Sequence, residues 1–381
     1  MSDRDEQYQP SPVALGWLKA TADCFVSLSR PIHDVGTSTA RPPTPLHTYP
    51  LIPMRTETAM CPRRRQQNSE SQAADEQAGQ DRPVRFGILG AARIGPNGLL
   101  KPAQSHPEAV VTTVACRDAA KGARYAKKWG IPKTYAGPKA YHDLIADPEI
   151  DAVYNPLPNG LHYEWTLRAL EAGKHVLLEK PITSTAEEAR QIFALAEQKG
   201  LVVLEAMHST FHPATQRVRE IVLSGELGKV KSADVAFTLP AWLSQFAFEK
   251  NDVRFNYDLA GGCGMDMGVY PIAAIRNATG LDNAPFEVTS ATATPHPSDP
   301  TRIDRAMHAT RTEKVYRYAD GRDGKGWTTY RYQLEAFVSK IRGRKPWVWI
   351  DPDTSVAVMA TVEQMYAKSG LPPRRSVHLA A

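Results

Sequence analysis

The chain has 381 residues, long enough for two domains that each bury a core. Apolar residues make up 42% and charged residues 23%, ordinary for a globular protein. A net charge of only +5, and no apolar run of membrane-spanning length, argue against nucleic-acid and membrane partners.

Residues 1–82 differ in composition from the remainder of the chain. Pro, Ser, Thr and Gln dominate, as in Arg41-Pro-Pro-Thr-Pro-Leu46. The clearest basic run, Arg63-Arg-Arg65, sits in this polar segment, and Cys24–Leu28 is expected to form no more than a stray helical turn. The segment is read as a disordered extension. Its acidic start (Asp3, Asp5, Glu6) is unlike a secretory signal, and four cysteines without paired spacing suit a reducing compartment without structural zinc. The expected location is cytoplasmic.

Order is predicted from Val84-Arg-Phe-Gly-Ile-Leu89, a strand that runs into Gly90-Ala-Ala-Arg-Ile-Gly95. This G-x-A-x-x-G turn is one glycine short of the dinucleotide fingerprint. Gly90 permits the tight turn, Ala92 lets backbone N–H groups approach a pyrophosphate, and Gly95 allows close helix packing. Arg93 and Ile94 complete the predicted phosphate loop. A second strand, Ala109–Ala115, ends in Cys116-Arg-Asp118. A carboxylate at such a tip holds ribose hydroxyls, whereas an arginine suits a 2′-phosphate. Arg117, with Lys121 one turn on, favours NADP over NAD; Asp118 is either a ribose acceptor or the N-cap of the helix Ala119–Lys128.

The α/β alternation continues through Thr134–Tyr135, Lys139–Ala146 and Ile150–Tyr154 to Asn155-Pro-Leu-Pro-Asn-Gly-Leu-His162. Pro156, Asn159 and His162 in this loop are candidate cofactor contacts, or caps of the helix Tyr163–Ala172. The apolar run Val176–Leu178 then stops at Glu179-Lys-Pro181, which puts Lys180 at a strand's C-terminal edge, where open parallel sheets bind ligands. Thr185 and Glu188 have capping-box spacing before a helix to Lys199, and Leu201–Glu205 completes the sheet. This order predicts a doubly wound parallel Rossmann domain over residues 83–206.

The grammar changes over residues 207–381. His208 and His212 are four apart, but Pro213 marks the helix start and leaves His208 ahead of it, so no metal pair is expected. Val230–Leu239 alternates like a half-buried antiparallel strand. Gly262-Cys-Gly-Met-Asp-Met-Gly-Val-Tyr270 enters a helix that runs to Thr279, with Asp266 and Tyr270 on one face.

From Val84 to Gly280 these motifs resemble the glucose–fructose oxidoreductase/inositol dehydrogenase/MocA (Gfo/Idh/MocA) family. The likeness is to its NADP-dependent D-xylose 1-dehydrogenase and dimeric dihydrodiol dehydrogenase branch. The resemblance implies that Lys180 and Tyr270 are catalytic, with Asp266 as supporting carboxylate, and that Glu179 and Lys180 border the cofactor. It implies hydride transfer between NADP (or NAD) and a small-molecule sugar, trans-dihydrodiol or inositol-like hydroxyl; a catalytically silent nucleotide-binding regulator is the competing reading. It also implies an α+β second domain with an open, largely antiparallel sheet, the homodimer surface of relatives. Two departures stand out. Ser209 and Thr210 replace an aromatic residue and an arginine, and Ala306 to Tyr330 is polar where strands belong, so the sheet is expected to be truncated.

Overall fold

The computed structural model describes residues 24–29, 82–228, 232–237, 253–282, 286–288, 291 and 327–376. In chain order the strands are β1 (Cys24–Ser29), β2 (Val84–Leu89), β3 (Ala109–Cys116), β4 (Lys133–Ala136), β5 (Ala152–Asn155), β6 (His175–Leu178), β7 (Val203–Glu205) and β8 (Ser232–Phe237). A π-helical turn, Pro96–Leu100, leads into α1 (Lys101–Gln104). There follow α2 (Ala119–Trp129), α3 (Ala140–Ala146), α4 (His162–Glu171), α5 (Ala186–Gln198), α6 (Pro213–Leu223), α7 (Val269–Thr279), α8 (Thr329–Ile341) and α9 (Pro352–Ser369).

Strands β2 to β7 form one parallel sheet in the order β4-β3-β2-β5-β6-β7. That is the dinucleotide-binding order, with the strand order reversing between β2 and β5. Both central strands are apolar on two faces, because helices cover each side; every residue of β5 is buried. Local sequence sets the helix ends as expected. Asp118 accepts from the Lys121 N–H as N-cap of α2. Thr185 and Glu188 form a full capping box at α5. His212 caps α6 through its ring Nδ1, at 3.1 Å from the Ala214 nitrogen.

One expectation changes. Cys24–Ser29 is a strand rather than a helical turn, paired antiparallel with β8 from Cys24↔Phe237 to Ser29↔Ser232. Val26 and Leu28 alternate with Ser27 and Ser29, a period-2 pattern, and the edge of β8 supplies the hydrogen-bond partners that six residues alone lack. Among the described residues the open antiparallel sheet comes down to this single pair. The truncation expected after Ala306 lies largely outside the described residues. Buried side chains from both sides of Met207 share one apolar cluster, from Val84 and Phe86 on the sheet to Phe337 on α8 and Val362 on α9. No described helix is long and apolar enough to cross a membrane.

Candidate active site

The site forms where the C-terminal ends of β2, β5, β6 and β7 meet the entry to α7. Gly90 ends β2 at φ +84°, a left-handed conformation that favours glycine, and its N–H donates to the Ala115 oxygen at 2.7 Å. The Gly95 turn passes so close to α2 that an added Cβ would collide with the Tyr125 hydroxyl. No side chain caps the helical turn that begins after Gly95: Pro96 brings no N–H, and the Asn97 and Gly98 N–H groups both donate to the Ile94 oxygen, at 3.0 and 2.8 Å. Gly98, not singled out in the sequence, serves a second close approach. A Cβ there would run into the Tyr154 hydroxyl, which itself donates to Glu179 Oε1 at 2.6 Å.

The fate of the other predicted contacts divides. Arg117 and Lys121 are exposed at the tip of β3 and the start of α2. Asp118 caps α2 through Oδ1, one of the two roles left open for it. Asn159 donates to the Ala260 oxygen at 3.1 Å and so ties the β5 loop to the segment ahead of α7. Pro156 is buried. His162 is a correction: both ring nitrogens lie 2.8 Å from backbone oxygens, of Pro181 and Leu157, so neither is left to contact a cofactor. Burial drives its pKa down to about 4, and its part is to hold Lys180-Pro181 in place. That segment is held from two more sides. The Lys180 N–H donates to Glu179 Oε2 at 3.3 Å, and the Ile182 N–H to Glu205 Oε1 at 3.1 Å. Ser355 on α9 completes the bonding of the buried Glu205.

Lys180 and Asp266 meet as the resemblance implied. The ammonium donates to Asp266 Oδ1 at 2.6 Å, and Arg254 pairs with the other carboxylate oxygen at 3.0 Å. Burial pushes the Asp266 carboxyl up, but Lys180 and Arg254 outweigh it and hold the group below the usual carboxylate range. Burial pushes the Glu179 carboxyl up. Lys180 Nζ stands 5.0 Å from the centre of the Tyr270 ring, and Phe237 stacks on that ring at 5.2 Å.

Three participants were not selected from sequence. Arg254 lies outside every motif. Tyr154 reads as one more apolar strand residue. His208 was weighed only as a metal ligand; its position just past β7, at the same sheet edge as Lys180, was the signal that pointed to the site. Its Nε2 lies 3.3 Å from the Tyr270 hydroxyl and its Nδ1 2.8 Å from Thr329 Oγ1. Among the described residues no group of His, Cys, Asp and Glu could hold a metal ion.

A six-stranded parallel sheet in this order, a glycine turn at the end of its central strand β2 and a Lys–Asp–Tyr group beside it define a dinucleotide-dependent oxidoreductase. Comparison with known proteins narrows the class. A profile described as an oxidoreductase family with an NAD-binding Rossmann fold matches residues 84–207, and the GFO/IDH/MocA C-terminal domain matches residues 215–345. The D-xylose 1-dehydrogenase (NADP(+)) 2 of Haloferax volcanii is 34% identical over 327 residues, covering 74% of this chain and 96% of that protein. The trans-1,2-dihydrobenzene-1,2-diol dehydrogenase of Mus musculus is 32% identical over 191 residues, 49% of this chain and 54% of that one. A 3-ketoreductase from Actinomadura kijaniata, solved with NADP and TDP-benzene, superposes with a TM-score of 0.61 at 25% identity, covering 75% of this chain and 98% of its own. The chain belongs to the Gfo/Idh/MocA family of oxidoreductases.

Proposed function

We propose that this protein is an NADP-dependent dehydrogenase that oxidises a hydroxyl of a sugar or trans-dihydrodiol, in the manner of a D-xylose 1-dehydrogenase. The observation that carries the reading is the placement of Lys180, fixed by Asp266 and facing the Tyr270 ring at 5.0 Å. When bound, NADP supplies the hydride acceptor. The Gly90–Gly95 turn fits its pyrophosphate, because the left-handed Gly90 turns the chain sharply at the C-terminal edge of the sheet and the small Ala91 and Ala92 let a phosphate approach the backbone. Arg117 is the group suited to a 2′-phosphate.

Tyr270 takes the substrate's hydroxyl proton as the C–H bond gives up its electron pair, leaving a carbonyl. A phenol titrates near about 10 unperturbed, so it needs a cation beside it to act as a base. Lys180 and Arg254 share the single carboxylate of Asp266, which leaves one net positive charge in the cluster. Asp266 fixes the ammonium so that this charge faces the phenol rather than solvent. General-base help of this kind contributes roughly 10²–10⁴ in rate.

The test is a screen of aldoses, polyols and trans-dihydrodiols with NADP and NAD, followed by reduced-cofactor absorbance. Turnover of one of these classes, abolished by Tyr270→Phe, supports the reading. Cofactor binding without turnover of any of them sinks it in favour of a silent regulator.

A further inference from the structure

We propose that His208 is a positioning residue for Tyr270: its Nε2–H donates to the phenol oxygen, and Thr329 sets that tautomer by donating its hydroxyl proton to Nδ1. The inference deepens the reading above and rests on it for its catalytic meaning. It stands on a continuous line of contacts. Thr329 Oγ1, at the first turn of α8, lies 2.8 Å from Nδ1, and Nε2 lies 3.3 Å from the Tyr270 hydroxyl. The Tyr330 ring lies against the imidazole with centroids 4.0 Å apart, which limits rotation of the ring.

The choice of tautomer follows from what the base must be. A phenolate only accepts hydrogen bonds, so a bare Nε2 lone pair would oppose it, whereas Nε2–H stabilises it. Burial, with Lys180 nearby, drives the His208 pKa down to about 3. The ring therefore stays neutral and carries a single proton, and something must decide on which nitrogen. A threonine hydroxyl both donates and accepts, and rotates to suit. At 2.8 Å it is placed to fill Nδ1 and leave the proton on Nε2.

The groups around the pair point the same way. Lys180, from the end of β6, faces the Tyr270 ring; Asp266, ahead of α7, is engaged by Lys180 through one carboxylate oxygen and by Arg254 through the other. Tyr330 from α8 is pushed well up by burial and by Tyr270, so it stays a phenol. Phe237 on β8 closes the remaining side with an apolar face. His208 is thus the neutral donor to Tyr270 that complements the charge of Lys180.

The experiment is an ultraviolet difference titration that isolates Tyr270 by comparing each protein with its Tyr270→Phe counterpart, run beside kcat/KM against pH. In His208→Leu the Tyr270 midpoint moves up and activity at neutral pH falls by about tenfold or more, the size of a lost hydrogen bond to a charged group. His208→Gln, whose amide offers a donor near the same place, recovers most of both; Thr329→Val, which leaves the ring in position, moves the midpoint part of the way. A midpoint unmoved in His208→Leu, or in Thr329→Val should the leucine variant fail to fold, overturns the inference. So does a glutamine variant no better than leucine. The titration needs no substrate: should the wild type oxidise no sugar or diol, the dehydrogenase reading fails alone and the midpoints still decide the role of His208.

Discussion

Lys180 donates to both the main-chain oxygen and Oδ1 of Asp266, at 2.7 and 2.6 Å, across 86 positions of sequence. One ammonium thereby fixes the backbone at the entry to α7 and the carboxylate presented there. Tyr270 comes one helical turn later on the same face, so its ring is located by the same contact.

Removing the Tyr270 hydroxyl tests the base directly. Tyr270→Phe keeps the Phe237 stack and the ring beside Lys180, so binding of NADPH, followed by fluorescence, is expected to stay within about twofold. Turnover is expected to fall by roughly 10²–10⁴, the usual worth of a general base. Unchanged turnover would remove Tyr270 from the mechanism.

Asp266→Asn leaves Lys180 and Arg254 facing each other without their shared anion. The expected result is a loss of kcat that exceeds any change in cofactor affinity, because the displaced group is the cation that acts on the phenol. Equal kcat in the asparagine variant would show that the ammonium keeps its place unaided.

Arg117 stands exposed where the adenine ribose of a bound dinucleotide is expected. Arg117→Asp replaces an attraction for a 2′-phosphate with repulsion. The ratio of kcat/KM for NADP to that for NAD is expected to drop by at least about tenfold, the size of one lost charge-assisted contact. A constant ratio would refute the role.

Glu335 makes stability depend on acid. It is held at about 2 by its hydrogen bonds to His106 and Arg331, against an ordinary value of 4.5. Its folded pKa is depressed, so its contribution is present above pH 4.5 and lost as the pH falls toward 2. Glu335→Gln is therefore expected to lower the urea midpoint at pH 7, with the gap from wild type closing across that window. A gap that stays constant with pH would assign the loss to packing instead.

Gly98→Ala drives a methyl into the hydroxyl of a fully buried tyrosine, Tyr154, that has no room to swing aside. Overpacking of this kind costs about 1–3 kcal/mol, and here it also strains the Tyr154–Glu179 bond behind Lys180. Urea unfolding with and without NADP reads the loss. An alanine variant as stable as wild type would show that the turn can back away from β5.

Much of the sheet was legible because each of its signals is local. The β2 strand, its glycine turn, the Asp118 and Thr185 caps and the Glu179-Lys-Pro181 stop all act within a few residues, through periodicity, φ angle or a side chain reaching its own backbone. The strand at Cys24–Ser29 was missed for the complementary reason, since its hydrogen bonds come from β8, far along the chain at Ser232–Phe237. His162 was misassigned because a loop histidine beside two prolines reads the same whether it faces a ligand or two carbonyls. Gly98 was passed over because nothing nearby in sequence announces the Tyr154 hydroxyl it makes room for.

The sequence by itself determined a parallel α/β domain with a phosphate-sized turn, a lysine at the end of a strand and a tyrosine one turn after an aspartate. Only the tertiary structure decided that Arg254 shares Asp266 with Lys180, and that Thr329 meets the imidazole of His208 whose other nitrogen reaches the Tyr270 phenol. Helical and strand periods specify which face a residue occupies. They do not specify which distant face it meets, and that is settled by how α7 and α8 pack against the edge of the sheet.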